Sequence, residues 1–211
     1  MILEVKNISK KYDNENIFSN ISFNVKKGEI FSIVGRSGIG KSTIAKIIMG
    51  IKKADSGSIL FLSKPLEKRK ISDIQMIFQD PYSALNESMT VYEILSEPLI
   101  VNGKKNINEN VLQMLEFLKL TDFKDKYPYE LSGGQRQRVI VGAAMILKPE
   151  LVICDEPIAS LDLTIQEQIL DLIKFFNKKY GTTFIFISHD MQIVKHISNT
   201  IYYMEEKNEK N

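Results

Sequence analysis

From residue 35 to residue 43 the chain reads Gly35-Arg36-Ser37-Gly38-Ile39-Gly40-Lys41-Ser42-Thr43. This stretch matches the phosphate-loop pattern G-x-x-x-x-G-K-[ST]. The run 29–34 before it predicts a buried strand, and the run 44–49 after it predicts a helix, which is the context that the pattern requires. Glycines let the backbone curl so that successive N–H groups and the positive end of the helix face one anion. The stretch therefore predicts a phosphate site.

Three side chains of this loop have predicted tasks. Lys41 can reach the β- and γ-phosphates of a nucleotide, and Ser42 is placed to offer its hydroxyl to Mg²⁺. Thr43 is expected to cap the helix and to contact phosphate. The alternative, a glycine-rich turn that binds nothing, leaves the full pattern and both of its flanks unexplained. We therefore expect ATP and Mg²⁺ to bind here.

Composition limits the class of protein. The chain has 211 residues, of which 44% are hydrophobic, and a formal charge of +2. This suits one α/β domain, or one with a small subdomain, and gives no sign of a nucleic-acid or lipid partner. The N-terminus resembles a strand rather than a signal peptide, and no apolar run approaches the ~20 residues of a membrane span. We expect a cytosolic chain whose membrane role, if any, comes through a partner, and a Cys154 that is a core residue rather than a nucleophile.

The rest of the chain adds an antiparallel layer and an insertion. Residues 2–5 and 17–25 are predicted as antiparallel strands joined by a turn at 13–16, with Tyr12 just before the turn, either packing or stacked on a purine. Residues 90–103 and 108–120 are predicted helices, the second with Val111, Leu112, Leu115 and Leu118 on one face. These helices interrupt the alternation of strands and helices that is typical of an α/β fold, and they indicate an inserted helical subdomain.

Polar residues follow three predicted strands at the edge where open α/β sheets place their ligands. The buried strand 151–156 ends in Asp155 and Glu156, which should point to opposite faces, so that one holds Mg²⁺ through water and the other takes a proton from an attacking water. Gln79, after strand 74–78, can touch a metal or that water. His189, after strand 183–187, can bond the γ-phosphate or the water, whereas His196 is expected on the surface or in packing.

A second helix N-terminus suited to an anion lies at Ser132-Gly133-Gly134-Gln135. Ser132 can cap this helix, which continues through the helix-prone run 139–147. Taken alone the pattern is weak, since Ser-Gly-Gly is common in turns.

In chain order, residues 35–43, Gln79, 131–135, 151–156, 160–162 and His189 resemble the Walker A, Q-loop, signature, Walker B, D-loop and switch histidine of an ABC transporter ATPase. The resemblance covers nearly the whole chain and implies a P-loop NTPase core with an antiparallel β layer. It implies one nucleotide-binding domain over 1–211, in which about 80–148 contain the helical subdomain and the signature. It makes Tyr12 the adenine-stacking aromatic and Glu156 the general base. Ser132, Gly133, Gly134 and Gln135 then contact the ATP of a second ATPase subunit in a head-to-tail dimer.

Within that family, residues 79–86, 89–91 and 96–99 are similar to the oligopeptide, dipeptide and nickel importer group. The similarity implies membrane permease subunits as partners, an extracytoplasmic binding protein acting indirectly, and a location at the cytoplasmic face of the membrane. The sequence departs from that group at two places. Glu87 stands where the group frequently has proline, and Ile158-Ala159-Ser160 replaces its more usual Thr-Ser-Ala. The short stretch after His189 favours a nickel or metal-chelate importer or a shortened peptide importer. Two alternative functions are considered beside an importer. An exporter ATPase would share the catalytic motifs. A soluble ABC ATPase acting on ribosomes or DNA would normally carry two cassettes or a coiled-coil insertion.

Overall fold

The computed structural model describes residues 1–12, 15–78, 84–159 and 161–204. Within them the strands and helices follow in the order β1 (Leu3–Tyr12), β2 (Glu15–Val25), β3 (Ile30–Val34), α1 (Lys41–Ile48), β4 (Ser56–Phe61), β5 (Lys64–Pro65), β6 (Ile74–Ile77), α2 (Val91–Val101), α3 (Ile107–Leu118), α4 (Gly133–Met145), β7 (Leu151–Asp155), α5 (Leu163–Tyr180), β8 (Thr183–Ile187), α6 (Met191–Ile197) and β9 (Thr200–Tyr203). The predicted α/β class is confirmed.

A parallel sheet in the order β6-β7-β8-β3-β9 forms the centre of the molecule. Its strands β3, β7 and β8 are buried at every position, as expected for a sheet covered on both faces. In β7, Val152 and Cys154 point into a core formed with α2 to α5, and Leu151 and Ile153 point into a second core formed with α1 and the antiparallel strands. The period of two along a strand thus divides the apolar residues between the two cores.

The predicted antiparallel layer is present, in the order β2-β1-β4-β5. β1 pairs with β2 from Leu3 opposite Val25 to Tyr12 opposite Glu15, so both strands are longer than the sequence pattern indicates. The turn predicted over 13–16 is wrong at Glu15 and Asn16, which already belong to β2 because they pair with the end of β1. Its other two residues, 13 and 14, lie outside the described residues.

Between β6 and β7 the chain forms the three helices α2, α3 and α4, as the predicted insertion requires. On α3 the buried face is formed by Val111, Met114, Leu115 and Leu118. The prediction was wrong at Leu112, which is 36% exposed, whereas Met114 is 4% exposed. Positions 111, 114, 115 and 118 share one face of a helix with 3.6 residues per turn, and position 112 lies beside that face.

One strand was missed. β8 was expected to be the last parallel strand, but β9 follows it and pairs with β3 along its length, from Phe31 opposite Thr200 to Val34 opposite Tyr203. No helix in the described part of the chain is long and apolar enough to cross a lipid bilayer.

Candidate functional site

The loop after β3 has the backbone shape that its glycines predict. Gly38 and Gly40 adopt positive φ angles of 81° and 103°. A Cβ on Gly40 would also lie 2.8 Å from the Cγ2 of Ile17 on β2, so both conformation and close packing require glycine there. Gly40 is the N-cap of α1, and no side chain caps this helix. The expected capping role of Thr43 is therefore wrong, because α1 begins two residues before it.

Lys41 is turned back into the loop that precedes it. Its Nζ donates to the carbonyl oxygens of Gly35, at 2.8 Å, and Arg36, at 2.9 Å, although the residue is only 6% exposed. Both of these contacts are made to neutral carbonyl dipoles and not to a carboxylate. An anion at the loop would therefore meet a cation that is already desolvated and fixed in place.

Ser42 and Asp155 are 113 positions apart in the sequence and are brought together by the fold. The hydroxyl of Ser42 donates to Oδ1 of Asp155 at 3.0 Å, and Asp155 ends the buried strand β7. Burial raises the pKa of the Asp155 carboxyl, the hydroxyl of Ser42 opposes this shift, and the charge of Glu156 adds to it. A hydroxyl and a carboxylate are the oxygen ligands that Mg²⁺ accepts, and a nucleotide's phosphates and water would complete its coordination.

Glu156 is separated from Asp155 by a turn and not by strand alternation. Asp155 is the last residue of β7, and Glu156 has a φ of 49°, in the left-handed region. Its backbone N–H donates to the carbonyl of Ile187 at 3.0 Å. The two carboxylates have different partners, Ser42 for Asp155 and His189 for Glu156. The expected cause, alternation along one strand, was wrong, because the backbone leaves the strand conformation at Glu156.

His189 lies beside Glu156, as their positions after β8 and β7 predict. Its Nδ1 is 3.1 Å from Oε1 of Glu156, and its side chain is 64% exposed. An ionised carboxylate only accepts, so Nδ1–H is the donor and Nε2 of the neutral ring remains an acceptor. His196 lies on the surface as expected, with its Nε2 2.8 Å from Nζ of Lys174.

Tyr12 ends β1 next to the phosphate-loop helix. Nζ of Lys52 donates to the Tyr12 hydroxyl at 2.5 Å and lies 4.3 Å from the ring centroid. The Lys52 hydrogen bond lowers the pKa of Tyr12, and the hydroxyl of Thr43 adds a smaller effect. Lys52 was missed by the sequence analysis, because no motif includes it and only the fold brings it to the ring.

The predicted second helix N-terminus is present at α4. Ser132 is its N-cap: its hydroxyl accepts from the N–H of Gln135 at 3.3 Å, and the side-chain oxygen of Gln135 accepts from the N–H of Ser132 at 2.8 Å. A Cβ on Gly134 would lie 2.8 Å from Cγ2 of Ile165 on α5, and Gly133 faces Leu161. Gly134 is therefore needed for close packing of α4 on α5.

Two predicted elements lie outside the described residues. These are Gln79, which follows β6, and Ser160, which begins the predicted D-loop. Their roles stay predictions.

Cys154 is a core residue. It is fully buried in β7, and burial raises the pKa of its thiol far above the usual range. A thiol that stays protonated is a poor nucleophile.

Comparison with known families and proteins matches this arrangement. Residues 18–159 match the ABC transporter family. The chain is 42% identical over 196 residues to the oligopeptide transport ATP-binding protein OppF of Haemophilus influenzae, covering 87% of this chain and 59% of that protein. It is 39% identical over 220 residues to the putative oligopeptide transport ATP-binding protein YkfD of Bacillus subtilis, covering 96% and 67%. The chain thus spans about three fifths of the length of the OppF relative.

Solved structures agree in fold. The structure of cbiO1 from Clostridium perfringens, part of the ABC transporter complex cbiONQ, superposes with a TM-score of 0.87 at 32% identity, over 96% of this chain and 84% of that one. The ADP conformation of an ATP-binding cassette of an ABC transporter gives a TM-score of 0.84 at 32% identity, over 96% and 87%.

Proposed function

Because this chain belongs to the ABC transporter family, we propose that it is the ATP-hydrolysing subunit of an importer for small peptides. The observation that carries the proposal is the meeting of Lys41, Ser42, Asp155, Glu156 and His189 at one edge of the parallel sheet. These groups supply a phosphate cradle, a cation site and a proton acceptor. Together they suit phosphoryl transfer to water.

The nucleotide is held mainly by the loop. Gly35, Arg36, Ser37, Gly38, Ile39, Gly40, Lys41, Ser42 and Thr43 surround its phosphates, and Tyr12 stacks on its adenine once Lys52 moves aside from that face of the ring. Ser42 and Asp155 hold Mg²⁺, with Gln79 as a further ligand. When bound, Mg²⁺ neutralises charge that develops on the phosphates.

Glu156 is the general base. Its carboxylate accepts a proton from the attacking water, while His189 orients this carboxylate by donating from Nδ1–H. In the neutral tautomer Nε2 can accept from the same water, whereas a bond to the γ-phosphate needs Nε2–H as the donor. Gln79 positions the same water. The left-handed turn at Glu156 supports this role, because it directs the carboxylate away from the cation ligand Asp155.

The signature residues act across a dimer. Ser132, Gly133, Gly134 and Gln135 begin α4 in the helical subdomain, and the side-chain bonds of Ser132 and Gln135 are made to one another's backbone. We propose that they contact the ATP of a second, identical or homologous ATPase subunit placed head to tail. Residues 1–211 form a single nucleotide-binding domain, of which about 80–148 contain the helical subdomain.

The cargo follows from the relatives. The two curated relatives described above are named for oligopeptide transport, which favours peptides over nickel or metal chelates as the cargo. The chain would lie at the cytoplasmic face of the membrane, bound to permease subunits and served by an extracytoplasmic binding protein. No nucleic acid takes part.

Reconstitution tests this proposal. The chain, its partner ATPase and the permease are placed in vesicles, and phosphate release is measured with binding protein loaded with peptide, with Ni²⁺ or with nothing. Stimulation by peptide is expected. Stimulation of phosphate release by Ni²⁺ alone would show that nickel, and not peptide, is the cargo. Outward transport, or co-purification with ribosomes or DNA and no permease, would overturn the importer function.

A further inference from the structure

One fully buried polar side chain is not used by the function proposed above. Gln137, on α4, is 1% exposed, and its Nε2 donates to the carbonyl oxygen of Pro157 at 2.6 Å. Its Oε1 has no hydrogen-bond partner among the residues that the structure describes. A buried amide oxygen left unpaired is destabilising, because it loses its bond to water without gaining another. An apolar side chain of the same length would avoid that cost, so the bond to Pro157 needs a reason beyond stability.

The bond holds a strained part of the site. Pro157 directly follows Glu156, whose φ of 49° is strained for a residue with a side chain and persists only where the surroundings enforce it. On one side the N–H of Glu156 is bound to the carbonyl of Ile187. On the other side the carbonyl of Pro157 is bound by Gln137. The turn that aims the carboxylate of Glu156 is therefore fixed at both ends.

Gln137, the donor of the hydrogen bond to Pro157, lies close to the signature residues. Gln137 is in the second turn of α4, two residues after Gln135, and Gly134 packs directly on Ile165 of α5. Gln137 is thus part of the same rigid helical segment that begins at Ser132. A shift of that helix end would move Nε2 of Gln137, and with it the carbonyl of Pro157.

We propose that Gln137 is a positioning residue for Glu156, acting through Pro157, and that it links the signature end of α4 to the general base of the same subunit. This inference rests on the proposed function. In a head-to-tail dimer the signature of one subunit faces one nucleotide and its Glu156 faces the other. The Gln137–Pro157 contact therefore joins the two nucleotide sites through a single hydrogen bond.

The test removes the donor, with methionine keeping the length of the side chain and leucine as a shorter second replacement. Gln137→Met and Gln137→Leu are made beside Gln113→Met, a matched exchange at an exposed position of α3. For either Gln137 variant we expect kcat for ATP hydrolysis to fall by at least ~10-fold with KM for ATP within about twofold. The thermal midpoint should change little, because removal of the unpaired Oε1 offsets the loss of the donor to the carbonyl of Pro157. Gln113→Met should match the wild type in all three measurements.

Hydrogen exchange supplies a readout that needs no hydrolysis. In the nucleotide-free Gln137 variants, amides of residues 154–159 should exchange faster than in the wild type, and they should be unchanged in Gln113→Met. A folded Gln137 variant with wild-type kcat and wild-type exchange over 154–159 would overturn the inference. A wild-type protein that hydrolyses no ATP with its partner subunit would instead overturn the proposed function, and the exchange result would still decide the role of Gln137.

Discussion

At the scale of single residues, Asp155 carries an electrostatic cost in the nucleotide-free protein. Its carboxyl is 7% exposed and has the hydroxyl of Ser42 3.0 Å away, while burial and the charge of Glu156 disfavour ionisation. A raised pKa in the folded state means that the folded protein binds this proton more readily than the unfolded chain does. Stability from this group is therefore present at low pH and is lost as the pH rises through the raised pKa.

Asp155→Asn is accordingly expected to stabilise the nucleotide-free protein at pH 7 and to impair Mg²⁺-dependent nucleotide binding. Asparagine has the same shape and can still accept from Ser42, but it carries no buried charge. We expect a gain on the order of 1 kcal/mol, or about 2–4 °C in Tm. Scanning calorimetry from pH 4 to pH 8 measures it, and the gain should shrink toward low pH. A Tm below that of the wild type at pH 7 would show that the carboxylate stabilises the apo fold.

Lys41→Ala removes the charge that pairs with the β- and γ-phosphates in a loop that otherwise offers mostly backbone dipoles. A charge-assisted bond is worth roughly 1.5–3 kcal/mol, so ATP should bind at least ~10-fold more weakly. The loop itself should keep its shape, because Gly38 and Gly40 hold their positive φ angles independently of the lysine. Isothermal titration of the folded variant with ATP is the measurement, and unchanged affinity would argue against the phosphate-loop assignment.

Glu156→Gln separates the two acidic residues by function. The amide cannot accept a proton from water, but its oxygen can still accept from Nδ1 of His189. Mg-ATP should bind as in the wild type, and turnover should fall by at least ~10²-fold. Single-turnover phosphate release beside equilibrium ATP binding checks both halves. Normal turnover here, with loss of turnover in Asp155→Asn alone, would exchange the roles of the two carboxylates.

The residue scale also shows what a sequence can and cannot predict about the site. The motif spacing predicted the groups that meet, including Ser42 with Asp155 and Glu156 with His189. Their meeting follows from parallel strands whose carboxyl ends share one edge. The left-handed turn at Glu156 was not predictable, because it depends on the bond between its N–H and a neighbouring strand. Lys52 was missed for the same kind of reason, since only pairing of distant segments brings it to Tyr12.

At the scale of elements, α4 is the helix on which the insertion is built. It packs on α2 and α3, and its Gly142 lies against a leucine from each of them. A Cβ on Gly142 would lie 2.5 Å from Cδ1 of Leu118 and 3.1 Å from Cδ2 of Leu95, both of them buried. The glycine is thus required by packing, although it lowers helix propensity by about 1 kcal/mol relative to alanine.

Gly142→Ala should therefore destabilise the protein by about 1–2 kcal/mol, since overpacking outweighs the gain in propensity. Leu118→Ala opens space at the same point, so the double variant should lose less stability than the sum of the two single variants. Urea unfolding of all four proteins measures this coupling. Additive losses, or a more stable Gly142→Ala, would mean that α3 and α4 are not as closely packed as described.

Element prediction succeeded where the apolar pattern was long and failed where it was short. The buried runs of β3, β7 and β8 and the helix α3 follow from composition and period. β9 is a four-residue strand at the edge of the sheet, with half-exposed side chains, and its pairing with β3 is the main sign of it. The extent of β1 and β2 likewise depends on cross-strand pairing and not on local pattern.

At the scale of the whole molecule, the proposed function requires two different surfaces of the chain to contact nucleotide. One is the edge of the parallel sheet with Lys41 and Glu156, and the other is the N-terminal end of α4 with Ser132. They are parts of different subdomains, and a single subunit should bind ATP but hydrolyse it poorly. The central claim is that hydrolysis needs the second surface from a partner subunit.

Size-exclusion chromatography of the Glu156→Gln protein with Mg-ATP and the partner ATPase tests that claim most directly. Adding Ser132→Arg should leave ATP binding to the isolated subunit intact and abolish the ATP-dependent dimer, because a bulky cation at the start of α4 opposes the helix dipole and fills the anion site. Gln113→Arg, which places the same charge at an exposed position of α3, should dimerise like the parent. If Ser132→Arg also dimerises at the parent's affinity, the signature does not act across subunits and the account is contradicted.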